Sequence, residues 1–304
     1  MTADDIKKKK AAIEAEHGPW TAYNLNLGHG VETAPQFACA HLRLRRVVQT
    51  IADLAGKPWE RLRILDLASL EGIFALEFAL HGAQVVAIEG REQNNARARF
   101  AAEVLELTKV EFVTDDVRNL SRNKYGRFDV VLCSGILYHL PGAEGCDFIR
   151  AIADVCSRLA IIDTHVALQE KSSFLWAGRT YRGVAYTEHS ANDTVAAKLS
   201  RTCASLGNTE SFWLTEPSLL NLLRDVGFSS VSEILRPKSF ADFADRLTFA
   251  AIKGEAETIA MSPELHGIAE PDWPEGSPLP PHPSQTRGTS LIGRIARAYR
   301  KIGV

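Results

Sequence analysis

The chain of 304 residues has no cysteine pair at C-x-x-C spacing. Its five cysteines (Cys39, Cys133, Cys146, Cys156 and Cys203) are scattered and odd in number, which points to neither a disulfide framework nor a zinc site. It also lacks an apolar run long enough to span a bilayer. Neither sign of charge dominates, and a net charge of -2 gives no global pull toward nucleic acid or an anionic membrane; only a local basic patch would do so. The first ten residues are polar and carry four consecutive lysines with no apolar stretch behind them, unlike a secretory signal. The expectation is a cytoplasmic protein without a metal centre. What is present is ordinary for a globular chain: 45% hydrophobic and 24% charged residues, enough for one large core or one core with appendages.

Four regions separate by pattern. Residues 1–60 read as helical, interrupted by an aromatic, glycine-containing stretch from Gly18 to Gly30. Residues 61–254 form the main body. Within it, apolar runs alternate with helical periodicity up to about residue 165, which argues for βαβ units and a parallel sheet. From about 166 to 212 the pattern turns polar and irregular, too long for an ordinary connection and typical of a functional insertion. Order returns with a helix beginning after Thr215 in Thr-Glu-Pro, a good helix start, and stopping at Gly227. Two strand candidates, 230–235 and 246–252, then read as an antiparallel hairpin at the sheet edge. Residues 255–289 are a Pro-rich linker with no core-forming pattern. Residues 290–304 recover the periodicity of a basic amphipathic helix, which would pack back on the body, contact a partner or lie on a membrane surface.

The most informative stretch runs from Arg61 to Leu140. Leu62–Leu67 reads as a strand, followed by Ala68-Ser69-Leu70-Glu71-Gly72 and a helical run. A second strand ends on Glu89, a third on Thr114-Asp115-Asp116, and a fourth on Cys133-Ser134 before Gly135-Ile136-Leu137-Tyr138-His139-Leu140. This order resembles that of the class I S-adenosylmethionine (SAM) methyltransferases. The resemblance implies an α/β fold: a Rossmann-like seven-stranded sheet of five parallel strands plus an antiparallel edge hairpin, with an N-terminal helical lid.

Ligands of open α/β sheets bind beyond the C-terminal strand ends, so the loop after the first strand needs small residues. Ala68, Ser69 and Gly72 meet that need. Glu89, one strand–helix–strand unit after Asp66, suits the two hydroxyls of a ribose. Asp116 can accept from an adenine amino group while the Val117 amide donates to the ring. By resemblance, Asp66 orders the first loop near the methionine amino end of SAM. The backbone at Cys133 and Ser134 receives the same ammonium, Tyr138 walls the methionine pocket, and Arg91 lies over the adenine face. One departure stands out. The family's D-x-G-x-G-x-G keeps only its last glycine here, Gly72. That loss would hurt a pyrophosphate-binding NAD site more than a SAM site, because only the pyrophosphate needs close backbone approach at G-x-G-x-x-G.

Methyl transfer to oxygen needs a base near neutral pH, and histidine is the ready candidate. His139 and His165 both follow strands on the reactive side, and His165 has the better claim to the acceptor. Trp20, Tyr23, Asn24 and His29 form an N-terminal cluster that either covers the sheet edge or closes over the cofactor; the lid is favoured. Glu188 and His189, in the insertion, read first as a solvated pair and otherwise as part of the acceptor site. The stretch Phe212 to Leu219, with Gly227-Phe228, resembles relatives of the tRNA wobble-uridine carboxymethyltransferase and also methyltransferases of biosynthetic clusters. Carboxy-SAM would need basic partners, for which Arg91, Arg179 and Arg182 are the candidates. The reading is thus a SAM-dependent methyltransferase of a small-molecule or sugar-bearing acceptor, at oxygen or nitrogen. A tRNA (carboxy)methyltransferase and a non-catalytic SAM-binding protein are the alternatives.

Overall fold

The computed structural model describes residues 1–21, 23–34, 38–201, 204–235, 244–255 and 272–274. Its strands, in chain order, are β1 (Arg63–Leu67), β2 (Gln84–Glu89), β3 (Val110–Thr114), β4 (Phe128–Ser134), β5 (Cys156–His165), β6 (Ser172–Trp176), β7 (Arg179–Thr187), β8 (Glu210–Leu214), β9 (Ser230–Glu233) and β10 (Arg246–Ile252). Seven of them form one sheet in the order β3-β2-β1-β4-β5-β10-β9. β1 to β5 run parallel, and β10 is antiparallel to both β5 and β9, the expected edge hairpin.

The central strands are mostly apolar because both faces are covered, with Asp66 of β1 and Asp163 of β5 as buried exceptions. Side chains alternate between faces along each strand, and the core divides accordingly. Leu65, Val131 and Ile162 belong to one buried cluster, and Ile64, Val130 and Ile161 to the other. The second face is covered in part by N-terminal residues. The helix Ala3–His17, opened by a capping box between Thr2 and Asp5, buries Ile6, and the helix Ala38–Leu54 buries Val47 and Ile51.

The insertion is more ordered than its polar pattern implies. β6, β7 and β8 pair antiparallel in a second, three-stranded sheet. Within it Phe174 of β6 meets Phe212 of β8 edge-on at 4.9 Å. It is fixed to the body by the buried Tyr181, which donates its hydroxyl to Asp225 at 2.9 Å, and by Trp176, whose Nε1 donates to Asp147 at 3.0 Å. Backbone bonds from Phe212 to Leu140 and from Ala167 to Leu214 hold it beside the C-terminal ends of β4 and β5. The helix Glu216–Asp225 starts as expected, with the Thr215 hydroxyl accepting from the Ser218 amide at 3.3 Å.

The linker touches the body at one described point. Trp273 exchanges two backbone hydrogen bonds with the Asn221 side chain, and Asp272 is gripped by Arg179 and Arg224. The rest of 256–289 and the helix expected over 290–304 lie outside the described residues. Among those described, no helix is long and apolar enough to cross a membrane, and no cluster of side chains could hold a metal ion.

Candidate functional site

The strand order reverses between β1 and β4, and the crevice there is where open α/β sheets take their ligands. A cavity of about 340 Å³ opens at this place, walled by Ala68 and Leu70 after β1, Glu89 to Arg91 after β2, Val117 after β3 and Ser134 to Ile136 after β4. Thr21, Tyr23, Arg43, Tyr138, His139, Ala204 to Leu206 and Arg246 complete it.

The loop after β1 keeps a left-handed backbone at three alternate positions: Ala68 at φ 54°, Leu70 at φ 50° and Gly72 at φ 79°. These are the positions at which the related motif has glycine. Only at Gly72 would a side chain also lack room, since a Cβ there would lie 2.8 Å from Phe112 and 3.0 Å from Ala98. The loop thus tolerates the strain of two non-glycine residues in the left-handed region and keeps glycine where space forbids anything else.

Glu89 organises the loop. One carboxylate oxygen accepts from the Leu70 amide at 3.0 Å; the other accepts from the Arg91 amide at 3.0 Å and the Asn94 side chain at 3.2 Å. Burial pushes its carboxyl above the usual range, and these donors pull against that rise. Behind the loop, Asp66 is fully buried. It accepts from the Ala75 amide, while its Oδ2 has no partner among the described residues. Burial pushes its carboxyl up to about 8, and repulsion from Glu89 adds to the rise. A buried acceptor without a donor is costly. Glu71, which has no counterpart in the sequence reading, is buried beside the loop. It accepts from the Thr21 amide at 2.6 Å and faces Arg97 at 3.4 Å, tying the N-terminal segment to the cavity rim.

Arg91 has another task than to lie free over a ring. Its guanidinium donates to the carbonyls of Leu199 (3.2 Å), Arg201 (2.8 Å) and Ala204 (3.0 Å), pinning the insertion onto the rim. Leu206 packs directly against Gly90, where any Cβ would collide with it. The insertion therefore roofs the cavity.

Several candidates fall elsewhere. Val117 reaches the cavity, but the Asp116 carboxylate caps the turn at 117–119 and pairs with Arg118 at 2.6 Å. Ser69 is buried behind the loop. The Cys133 thiol is buried in the sheet core, where burial raises its pKa, while the adjoining Ser134 lines the cavity; the expectation at this pair rests on the backbone and not on the thiol. Of the N-terminal cluster only Tyr23 lines the cavity. Trp20 is buried against Phe100 at 5.9 Å, Asn24 bonds Glu32 and the Ala34 amide within its own turn, and His29 is exposed at the tip of that turn. The cluster is thus mainly structural cover.

Of the two histidines, only His139 lines this cavity. Its Nδ1 lies 2.9 Å from Glu188 Oε1. His165 is set back in a small separate cavity, stacked on Trp213 at 4.9 Å and bonded to Asp245 at 3.0 Å. Burial and the nearby Arg246 hold its pKa below the usual imidazole value. Glu188 and His189 are not a solvated pair. The Glu188 side chain is only 3% exposed. His189 is buried, with its ring nitrogens at the Ser205 carbonyl and Arg201.

The cavity also has a basic part, at Arg43 and Arg246. Arg246 holds the fully buried Asp163 through Nε (2.7 Å) and Nη2 (2.6 Å), Thr248 donates to the same group at 2.7 Å, and Arg43 lies 3.7 Å away. Two guanidiniums around one carboxylate leave a surplus positive charge here. By contrast, Arg179 is taken by Asp225 and Asp272, and Arg182 by Glu170. Register alone pointed to Arg246, since it pairs with His165 across β10 and β5.

Residues 64–158 match the family model described as a methyltransferase domain. The ubiquinone biosynthesis O-methyltransferase of Bordetella pertussis (strain Tohama I) is 31% identical over 147 residues, 48% of this chain and 57% of that protein. That of Acinetobacter baylyi is 31% identical over 100 residues, 33% of this chain and 40% of that protein. The chain therefore spans about half the length of these relatives. Among solved structures, the N-terminal domain of EvdMO1, in the presence of SAH and D-fucose, superposes with a TM-score of 0.62 at 25% identity, over 82% of this chain and 96% of that one.

Proposed function

We propose that this chain, which carries a class I SAM-dependent methyltransferase domain, binds SAM in the cavity at the ends of β1, β2 and β4 and methylates a hydroxyl of a small or sugar-bearing acceptor. One observation carries the reading: a single cavity is lined both by Glu89 with the β1 loop and by His139, which Glu188 backs.

The residues fit the cofactor. Glu89 faces the cavity with a carboxylate suited to two ribose hydroxyls, Val117 walls the adenine side, and the backbone at Ser134 suits the ammonium, with the unpartnered Asp66 oxygen buried behind the loop. When bound, SAM supplies a methyl group already activated on a sulfonium. The chain positions the acceptor, excludes water under the 204–206 roof and moves one proton. Glu188 accepts from His139 Nδ1–H, so Nε2 is the atom left to take the proton from the acceptor hydroxyl. The imidazolium so formed is stabilised by the same carboxylate, which burial would raise but which His139 and the Ser205 amide hold below the usual range. Oxygen is favoured over nitrogen because the relatives above are O-methyltransferases by name and the EvdMO1 domain was solved with a sugar.

A second reading has an observation of its own. Arg43 and Arg246 line the cavity and supply the basic partners that the carboxylate of carboxy-SAM would need, as a tRNA carboxymethyltransferase requires. Calorimetry with S-adenosylhomocysteine, carboxy-SAM and NAD separates the cases. Micromolar binding of the first, about 8 kcal/mol, supports the methyltransferase reading. Tighter binding of carboxy-SAM moves the assignment to carboxymethyl transfer, and no binding of either ends both. Binding with no turnover on any hydroxylated acceptor leaves a non-catalytic SAM-binding protein. Acceptor binding that weakens steeply with salt would indicate RNA.

A further inference from the structure

We infer that Glu188 is a positioning residue for His139 and that its hold on the imidazole depends on the insertion being docked on the cofactor rim by Arg91. The inference rests on the methyltransferase reading above and concerns how that site is assembled.

The contacts form an unbroken chain. Glu89 Oε1 accepts from the Arg91 amide at 3.0 Å. The Arg91 side chain donates to the carbonyls of Arg201 and Ala204, while Leu206 seats on Gly90. The next amide along, that of Ser205, donates to Glu188 Oε2 at 3.1 Å. Glu188 Oε1 then meets His139 Nδ1 at 2.9 Å. Two further bonds close the same segment around the histidine: His189 reaches the Ser205 carbonyl at 2.9 Å, and Asn208 donates to the His139 carbonyl at 2.9 Å.

Each link has one purpose. A carboxylate has two oxygens, and with one occupied by a fixed amide the other can point only one way. The imidazole then keeps its proton on Nδ1, leaving Nε2 as the basic atom. Among the described residues no protein group bonds Nε2, and His139 lines the cavity. Arg91 holds the roof by backbone carbonyls, which any sequence there would offer, so the latch is a matter of geometry. Because the Arg91 amide and the ribose-side carboxylate share a hydrogen bond, filling the cofactor end steadies the latch.

The test reads the imidazole directly and needs no acceptor. Protein labelled with ¹⁵N-histidine is compared in long-range ¹H–¹⁵N spectra, with His139 assigned by loss of its signal in His139→Gln. The expected wild-type pattern is one neutral tautomer protonated on Nδ1. Glu188→Ala should lose that pattern and give mixed tautomers, while S-adenosylhomocysteine affinity changes by less than about threefold. Arg91→Ala, and independently Leu206→Ala, should lose it too, with faster hydrogen exchange at the Ser205 amide. A retained Nδ1 tautomer in Glu188→Ala overturns the positioning role. A retained tautomer in both roof variants overturns the coupling, whether or not the segment lifts. Failure of the wild type to bind S-adenosylhomocysteine would sink the methyltransferase reading separately, since the tautomer is read without cofactor.

Discussion

The Leu70 amide donates to Glu89 Oε2 at 3.0 Å, so the carboxylate that faces the cavity also fixes the loop beside it. Glu89→Ala removes three hydrogen bonds at once, each charge-assisted bond worth about 1.5–3 kcal/mol. The expected result is a loss of S-adenosylhomocysteine affinity of at least about a hundredfold together with a lower melting temperature. Calorimetry on the folded variant that showed wild-type affinity would remove Glu89 from the site.

Asp66 should make stability depend on pH. The folded chain holds its proton up to about 8 against 3.8 for the exposed group. Between those values the folded state binds more protons than the unfolded one, so stability falls as pH rises through the window. Asp66→Asn should abolish this slope and be the more stable form at pH 8, by a few kcal/mol at most, with the advantage gone near pH 4. Urea unfolding of both proteins at the two pH values checks it; equal slopes would contradict the burial argument.

His139→Ala should lower methyl transfer by about a hundredfold or more, the usual contribution of a positioned base, with cofactor affinity retained. His165→Ala should act chiefly on stability, because its ring packs between Tyr138 at 4.6 Å and Trp213 at 4.9 Å. Paired turnover and melting measurements discriminate, and the reverse pattern would restore His165 as the base.

The glycine loop gives opposite signs at its two ends. Gly72→Ala combines a left-handed φ with a collision against Phe112 and should cost more than about 1 kcal/mol. Ala68→Gly relieves a left-handed alanine at φ 54° and should be neutral or stabilising by up to about 1 kcal/mol. Denaturant midpoints decide, and destabilisation by Ala68→Gly would mean that the methyl group has a packing role.

What was legible in the sequence was local. β1, β2, β4 and β5 announce themselves by apolar runs, and the acidic residue at the end of β2 lies within one repeat of the first loop. The insertion was less legible because β6 and β7 each bury few residues and β8 lies beyond a helix and loop. Its sheet is held by cross-strand aromatics and by Gly183, whose missing side chain lets the Trp213 carbonyl approach. The Glu188–His139 pair joins positions 49 apart, and Glu71 meets Thr21 across 50. No periodicity reports such pairings. Which of His139 and His165 lines the cavity was hidden for the same reason: both follow strands, and only the side chains packed around them decide it.

The three left-handed positions of the first loop separate two demands that a run of glycines normally merges, one on the backbone angle and one on empty volume. Ala68 and Leu70 show that the angle can be met by other residues at a cost, whereas the volume beside Phe112 and Ala98 admits none. Within this loop, then, divergence is free to erase the glycines one by one until it reaches the last, and a signature written in glycines fades long before the pocket does. Distant members of such a lineage are better sought by the position that must stay vacant than by the spelling of the whole motif.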